Sequence, residues 1–291
     1  MRTTFDRFAQ TVITEMRAML PDYEISRMDI VKLNDIVLHG VTARHADSSS
    51  APTLYLDTAF ESRESAEDTA KGFVNAILSA PEAPMTAEDA GSLRFDKIRD
   101  MLTARLIDTE LNHRFLQEHP FREIGAGLAL IAEVDLGNGY RCVITDSLAE
   151  QYDMDEVFDT ALRNMQSRHP AKMLSLAGAL TGESGNALEG EAEADPMSIL
   201  TSDGAECFGA VAIAYDDMPK RIWEVFGKDS DYYILPSSLH ELIIVQDTDS
   251  INLEELREMV ITANRTVVDP ADRLSDSVFK YTGADGLHRV A

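Results

Sequence analysis

The sequence predicts an α+β fold with mostly antiparallel sheets and packed helices, organised in two subdomains. Short apolar runs alternate with longer segments in which apolar residues recur every three or four positions, and these are the periods of strands and helices. Turn signals at Asn34-Asp35 and at 137–139 (Gly-Asn-Gly) join pairs of apolar runs by short connections, as in antiparallel hairpins. The Pro/Ala-rich stretch Pro81–Pro84 is the predicted boundary, which gives subdomains at 1–82 and 85–291.

The N-terminal subdomain is predicted to contain a helix, a three-stranded meander and a second helix. In the first helix, apolar residues from Phe5 to Leu20 fall on one face, and Pro21 ends the helix. Ser65 and Asp68 have the spacing of a capping box at the start of the second helix. The expected elements are helices at 4–20 and 62–78 and strands at 23–33, 36–41 and 53–56.

The C-terminal subdomain is predicted to alternate strand pairs with helices, which favours antiparallel sheet. Residues 95–106 have an apolar periodicity that does not distinguish helix from strand. Asp153 is a predicted helix N-cap. The segment 182–196 is acidic and almost free of bulky apolar residues, so we expect a flexible loop there. The other expected elements are helices at 108–118, 154–166, 218–226 and 253–263, and strands at 125–134, 140–145, 173–180, 197–200, 208–215, 277–281 and twice within 232–245. The strands at 197–200 and 208–215 are expected to pair through a turn at Asp203-Gly204.

The net charge of −25, from 51 acidic and 26 basic residues, argues against direct binding to nucleic acid. Phosphate contacts require clustered lysine and arginine, which this composition does not favour. The same charge would be repelled by an anionic membrane surface, and no apolar run approaches the ~20 residues that span a bilayer. The N-terminal segment is amphipathic and lacks a secretory apolar core, so the expected location is the cytoplasm.

Neither a cofactor nor a metal ion is predicted from the sequence. Cys142 and Cys207 lie in apolar surroundings and are expected to be buried and reduced. The seven histidines are scattered and form no HExxH pattern, so a zinc site is not expected. Glycine-rich phosphate loops are also missing, which weighs against a nucleotide enzyme.

The most specific stretch of the chain is Tyr232–Val245, YYILPSSLHELIIV, in which two apolar runs flank a short cluster of polar residues. Its candidate site residues are Ser237, Ser238, His240 and Glu241. A hydrolase would use one serine as nucleophile and His240 as its base, with a carboxylate from elsewhere orienting the imidazole. The GxSxG elbow and a glycine-rich oxyanion loop are missing, however. The structural interpretation is that Pro236 and the serines form a bend, while His240 and Glu241 cap strand ends or contact a neighbouring element.

A second polar group follows the last predicted helix and consists of Asn264, Asp269, Ser275 and Asp276. Asn264 falls where a C-cap would lie, Asp269-Pro270 is typical of a turn, and Ser275-Asp276 precedes the last predicted strand. A metal site would need these carboxylates to converge, which their spacing does not indicate. Structural roles therefore account for the group.

Three C-terminal blocks carry a family resemblance: YYILPSSLHELIIV, LREMVITANRTVV and LSDSVFKY. Further similarity surrounds Ile199-Leu-Thr and Gly209-Ala, and weaker collinear similarity lies in TLYL, RLIDTELNHRFLQEHPF and DEVFDTALRNM. In these blocks the chain resembles an uncharacterised bacterial family of anaerobic gut bacteria, known as domain of unknown function 5688. The resemblance implies a bacterial, cytoplasmic, non-secreted protein, and it implies no activity and no site residues.

These observations lead to three expectations about function. The first is a non-enzymatic cytoplasmic interaction or regulatory protein that binds a protein partner through its folded surface. The alternative is a hydrolase-like enzyme that uses Ser238 and His240, which a carboxylate beside either side chain in a concave pocket would favour. The third is an acidic decoy that mimics nucleic acid, because no lysine or arginine lies between Met173 and Pro219 while acidic residues recur there.

Overall fold

Every strand pair in the described part of the chain is antiparallel, and helices pack against the sheets, which confirms the predicted α+β class. The computed structural model describes residues 2–45, 52–79, 94–137, 140–181, 185–192, 195–202, 208–227, 230–236 and 238–291. The chain divides into two compact units, Met1–Arg94 and Phe95–Ala291. The predicted boundary at Pro81–Pro84 lies outside the described residues.

The N-terminal unit buries one apolar cluster between its helices and a three-stranded sheet. Its elements in chain order are α1 (Arg2–Met19), β1 (Tyr23–Val31), β2 (Val37–His45), β3 (Thr53–Tyr55), α2 (Leu56–Glu61) and α3 (Ala66–Ser79). Val12 and Met16, four positions apart on α1, are fully buried because this spacing places them on one helix face. The predicted order of helix, meander and helix is confirmed. The short helix α2 is an addition, which begins where the third predicted strand was expected to end.

The hairpin turn and the capping box predicted for this unit both have the expected geometry. β1 and β2 form the hairpin predicted from Asn34-Asp35, with Val31 paired to Val37. Asn34 and Asp35 have positive φ values of 59° and 52°, a conformation that Asn and Asp tolerate better than most residues with a side chain. At the start of α3, the hydroxyl of Ser65 accepts the backbone N–H of Asp68 at 3.1 Å and donates to its carboxylate at 2.7 Å.

The larger unit begins with a four-stranded sheet that is built around one central strand. Its elements are α4 (Phe95–Ile98), β4 (Leu102–Asp108), β5 (Phe121–Gly125), β6 (Leu128–Gly137), β7 (Tyr140–Val143), α5 (Asp146–Ala149) and α6 (Met154–Arg168). β4 occupies one edge of β6, and β5 and β7 pair with successive parts of the other edge. The carboxylate of Asp153 accepts the N–H groups of Asp155 and Glu156, which confirms it as the N-cap of α6.

A six-stranded sheet completes this unit, in the order β13-β12-β10-β11-β9-β8. Its elements are β8 (Ala171–Ser175), α7 (Leu176–Thr181), β9 (Met197–Ser202), α8 (Met218–Val225), β10 (Tyr232–Leu235), β11 (Leu242–Gln246), α9 (Leu253–Thr266), β12 (Phe279–Thr282) and β13 (Gly286–Arg289). Since β11 and β12 are each antiparallel to β10, they run in the same direction. Parallel strands need a crossover, and α9 provides it, with Leu256 and Val260 buried.

Residues 185–192 are the described centre of the segment predicted to be an acidic loop. They contain a short 3-10 helix, Ala187–Glu189, preceded by the buried side chain of Asn186. The Asn186 side-chain oxygen accepts the N–H of Met173 at 3.0 Å, and its amide nitrogen donates to the carbonyl of Ala171 at 3.3 Å. These bonds anchor the segment to β8. Residues 182–184 and 193–194 lie outside the described residues.

The helix predicted at 108–118 is wrong. Asp108 is the last residue of β4, and only Phe115–Gln117 forms a 3-10 turn. The side-chain amide of Asn112 donates to the carbonyl of Asp108 at 2.8 Å, and the Asp108 carboxylate accepts the N–H of Glu110 at 2.9 Å. Side chains that bond the local backbone in this way compete with helix formation, so the apolar spacing of the segment is misleading.

The strand predicted at 208–215 is also wrong, because Gly209–Ala214 is a buried 3-10 helix. The partner expected for it, β9, is a strand, but β8 and β11 already occupy its two edges. A third strand therefore has no edge to join. The turn predicted at Asp203-Gly204 lies outside the described residues.

A buried carboxylate, Asp108, links the end of β4 to the C-terminal part of the six-stranded sheet. The side chain is 1% exposed and accepts hydrogen bonds from Arg289 at 3.0 Å and from the hydroxyl of Ser275. Arg289 also contacts Glu110, which is 71% exposed, at 2.7 Å. A carboxylate can be buried only when its charge is paired and its oxygens are hydrogen-bonded. The hydrogen bonds of Asp108 therefore link the four-stranded sheet to the six-stranded sheet.

We expect Asp108→Asn to lower the free energy of unfolding by about 3 kcal/mol or more, because Arg289 loses the charge of its buried partner. Glu110→Gln removes the exposed partner of the same arginine and should cost less than about 1 kcal/mol. Urea denaturation followed by circular dichroism measures both. Equal costs for the two variants would contradict the importance of the buried pair.

The phenol of Tyr232 makes the stability of the fold sensitive to alkaline pH. Tyr232 is buried in β10, and its hydroxyl donates to the carbonyl of Pro219 at 3.0 Å. Burial, reinforced by Tyr281, raises the pKa of Tyr232 well above 10.0. In the unfolded chain the phenol ionises near pH 10. Above that pH the unfolded state binds fewer protons than the folded state, so the free energy of unfolding falls as pH rises.

Tyr232→Phe should flatten this alkaline dependence by one proton, about 1.4 kcal/mol per pH unit above pH 10. At pH 8 the variant should be less stable by about 1 kcal/mol, because it loses one hydrogen bond. Denaturation curves from pH 8 to 11.5 test both expectations. If the variant keeps the wild-type slope, Tyr232 is not the group responsible.

Candidate functional site

The turn between β10 and β11 is hydrogen-bonded to three other segments of the larger unit. Leu239 donates its N–H to the carbonyl of Asp272 at 2.8 Å and accepts the N–H of Ala210 at 3.1 Å. The carbonyl of His240 accepts the hydroxyl of Thr201 at 3.0 Å. The predicted bend between two strands is therefore confirmed as a junction between β9, the 3-10 helix Gly209–Ala214 and the loop that follows α9.

Of the serine and glutamate candidates, the structure describes Ser238 and Glu241, and these two have different surroundings. The side-chain oxygen of Ser238 accepts the backbone N–H of His240 at 3.0 Å, which is the bond of a serine turn. Ser238 also forms an isolated β-bridge with Arg273. Glu241 is exposed, and Ser237 lies outside the described residues.

The imidazole of His240 packs against an aromatic ring and a carboxylate. It stacks on Phe208 with 5.5 Å between ring centroids and an interplanar angle of 17°. Its Nε2 lies 3.5 Å from Oδ2 of Asp272, and both side chains are nearly half-exposed. This contact with a neighbouring element is one of the two structural roles that the sequence left open for His240, and Asp272 is a partner that the sequence did not indicate.

Behind Phe208, a buried ion pair on the four-stranded sheet completes a cation–π stack. The guanidinium carbon of Arg105 lies 3.6 Å from the Phe208 ring centroid, and that of Arg141 lies 5.0 Å away. Arg105 contacts both carboxylate oxygens of the buried Glu133, at 2.8 and 3.0 Å. Burial lowers the pKa of Arg105 although Glu133 acts in the opposite direction. The stack joins the face of the four-stranded sheet to the turn between β10 and β11.

Chemically, this arrangement connects the two sheets of the larger unit through ring stacking and hydrogen bonds. His240 has a carboxylate neighbour that could orient it, but the hydroxyl oxygen of Ser238 is engaged in the turn. Among the described residues, no group of three or more His, Cys, Asp and Glu side chains could hold a metal ion. Cys142 is only partly buried and free, with a pKa that is raised first by burial and then by Glu133, while Cys207 lies outside the described residues.

The second polar group is a structural network, and one of its predicted roles is wrong. Asn264 is not a C-cap, because α9 continues past it and its side chain is buried. Its amide nitrogen donates to the carbonyl of Ser275 at 2.8 Å and to the carboxylate of Asp276 at 2.6 Å. Asp269 accepts the N–H of Ala271 at 2.9 Å in the predicted turn. The group fixes α9 to the loop that precedes β12.

An open cavity of about 570 Å³ runs along the solvent side of α9. Nine residues of the helix and its two caps line it: Asn252, Glu254, Glu255, Glu258, Met259, Thr262, Ala263, Thr266 and Val267. Met259 and Val267 are 42% and 83% exposed. Sequence reasoning missed this surface, although Met259 and Ala263 are apolar, four positions apart and distinct from the buried pair Leu256 and Val260. That second apolar stripe is the signal that could have found it.

Gly209 packs closely against the turn between β10 and β11. A Cβ at this position would overlap the carbonyl oxygen of His240 and the hydroxyl of Thr201, and would lie 2.8 Å from the backbone nitrogen of Ser202. We therefore expect Gly209→Ala to lower the free energy of unfolding by about 3 kcal/mol. Gly72→Ala is the matched control, because Gly72 is exposed in α3 with open space around it.

The control substitution should stabilise the protein by about 0.5–1 kcal/mol, since alanine restricts the unfolded chain and favours helix. Urea denaturation of both variants gives the comparison. A Gly209→Ala variant as stable as wild type would mean that the turn is not packed as described.

No curated protein and no solved structure matches the chain. In the part of the chain that the structure describes, the helices are too short or too polar for any of them to cross a bilayer. The model of a family of unknown function, DUF5688, matches residues 5–283, a range that includes the LPSSLHE turn and α9. The C-terminal blocks that suggested this resemblance fall within the matched range, and the chain belongs to the family of unknown function DUF5688.

Proposed function

We propose that this protein is a non-enzymatic interaction protein of the cytoplasm, which binds a protein partner through the solvent side of α9. The cavity along this helix is the observation that carries the proposal. Its lining combines exposed apolar side chains, Met259 and Val267, with polar and charged groups. Contiguous apolar surface with a polar border is typical of protein–protein interaction sites.

The geometry of the turn between β10 and β11 supports a non-enzymatic role. Its backbone is bonded to three other segments, and its imidazole is stacked on Phe208. The oxygen of Ser238 accepts a backbone N–H of the same turn. These residues already have structural partners, which accounts for their presence without a substrate.

A hydrolase-like enzyme is the second candidate, and the contact between His240 and Asp272 favours it. A carboxylate 3.5 Å from an imidazole could orient that imidazole as a general base. Ser238 would be the nucleophile. In that case its hydroxyl would have to turn toward the imidazole while its oxygen keeps the bond to the His240 N–H.

Affinity capture from bacterial lysate with three variants distinguishes the two candidates. Met259→Ser/Val267→Ser removes the apolar part of the α9 surface, and Ser238→Ala/His240→Ala removes the hydrolase candidates. Met28→Ser/Leu78→Ser is the matched control, because it replaces a methionine and an aliphatic residue that are exposed in the N-terminal unit. We expect proteins that wild type captures to be lost at least about tenfold with the α9 variant alone, since a few anchor side chains carry most of the binding energy of an interface.

Partners that are retained by the α9 variant and lost with Ser238→Ala/His240→Ala would contradict the proposal and favour the second candidate. Equal loss with the Met28→Ser/Leu78→Ser control would mean that capture depends on general surface hydrophobicity. Far-UV circular dichroism of each variant confirms that differences in capture do not come from unfolding.

A further inference from the structure

The surface of α9 has an apolar end and an acidic end. Met259, Ala263 and Val267 follow each other at intervals of four, so they form one stripe along the C-terminal half of the helix. Thr266 contributes to the same surface, and its hydroxyl is satisfied by the carbonyl of Thr262 at 2.7 Å.

The N-terminal half of the cavity is lined by three carboxylates, Glu254, Glu255 and Glu258, and none of the lining residues is basic. Glu255 accepts the side-chain amide of Asn252 at 3.1 Å and so belongs to the helix cap. Glu254 and Glu258 are one turn apart, and within the described residues neither makes an ion pair. Like charges at this spacing destabilise an isolated helix.

A ligand for this surface must match both ends. Apolar side chains are needed over Met259 and Val267, and positive charge is needed over Glu254 and Glu258. From Glu254 to Val267 the surface is about 20 Å long at the rise of an α-helix. A helix of about 14 residues spans the same length and can present apolar and basic side chains on one face.

We infer that the segment that docks on α9 is a basic amphipathic helix of the partner, with its lysines or arginines at the Glu254 end and its apolar anchors at the Val267 end. This inference rests on the proposed function, since it specifies the partner of the same surface. The net charge of −25 would also steer such a segment toward the protein. A second copy of this chain is disfavoured as the occupant, because it carries the same negative charge.

A fluorescein-labelled 14-residue leucine/lysine peptide with helical periodicity is the probe, and fluorescence anisotropy with the full chain at 150 mM salt is the measurement. Glu254→Lys/Glu258→Lys should weaken its binding about tenfold, because two attractive contacts become repulsive. Glu67→Lys/Glu156→Lys is the matched control. It reverses two exposed carboxylates in the first turns of α3 and α6 and changes the net charge equally.

We expect the control variant to bind within about twofold of wild type, and a scrambled peptide of the same composition to bind at least about tenfold more weakly. Equal weakening by the two double variants would overturn the inference, because the peptide would then follow net charge alone. No binding of the peptide, stronger binding of a leucine/glutamate peptide, or a wild-type dimer that Met259→Ser/Val267→Ser dissociates would overturn it as well.

The two proposals fail separately. If cellular partners are lost with Met259→Ser/Val267→Ser but the basic peptide does not bind, α9 is the docking surface and its partner has a different chemistry. If those partners do not depend on Met259 and Val267 at all, the proposed function itself is wrong.

Discussion

In the larger unit, a carboxylate that would be very unfavourable to bury alone is held by donors from separate stretches of the chain. Asp108 receives hydrogen bonds from Arg289 and Ser275. If either donor moved away, the buried carboxylate would lose one of the hydrogen bonds that stabilise its charge. The backbone N–H of Ser275 donates to the carbonyl of Pro236, and its carbonyl accepts the side chain of Asn264. The LPSSLHE turn and α9 therefore depend on the same junction.

The hydrogen bonds around the LPSSLHE turn give the most specific block of the sequence a structural explanation. Backbone groups of this turn bond to Asp272, Ala210 and Thr201, and the oxygen of Ser238 accepts the N–H of His240 within the turn. Gly209 lies against the same turn with no room for a side chain. Packing and hydrogen bonding thus account for much of this block, whereas the surface proposed to bind a partner lies on α9.

Local sequence patterns predicted the elements whose causes are local. Asp153 caps α6, Asn34-Asp35 closes the first hairpin, and the apolar period of α9 buries Leu256 and Val260. The error at 108–118 came from side chains that bond the local backbone, whereas the error at 208–215 came from distant segments. At 208–215 an apolar run resembles a strand, but the edges of β9 are already paired.

The site around His240 was predictable only in part, because some of its residues come from distant segments. His240 and Ser238 could be named from their spacing, and the bend that contains them was expected. The ring of Phe208, the carboxylate of Asp272 and the guanidinium of Arg105 reach His240 or its stacking partner only through the tertiary fold. No pattern within a single segment could have indicated that they meet.

The separation of Asp108 and Arg289 along the chain, 181 residues, has a consequence for how the protein forms. Contacts this distant in sequence lower folding rates, because a long loop must close before the contact is made. During synthesis the four-stranded sheet emerges from the ribosome well before Arg289 does. Until then the carboxylate of Asp108 lacks Arg289 as its counter-ion, so we expect the larger unit to acquire its final order only after its last strand has been synthesised.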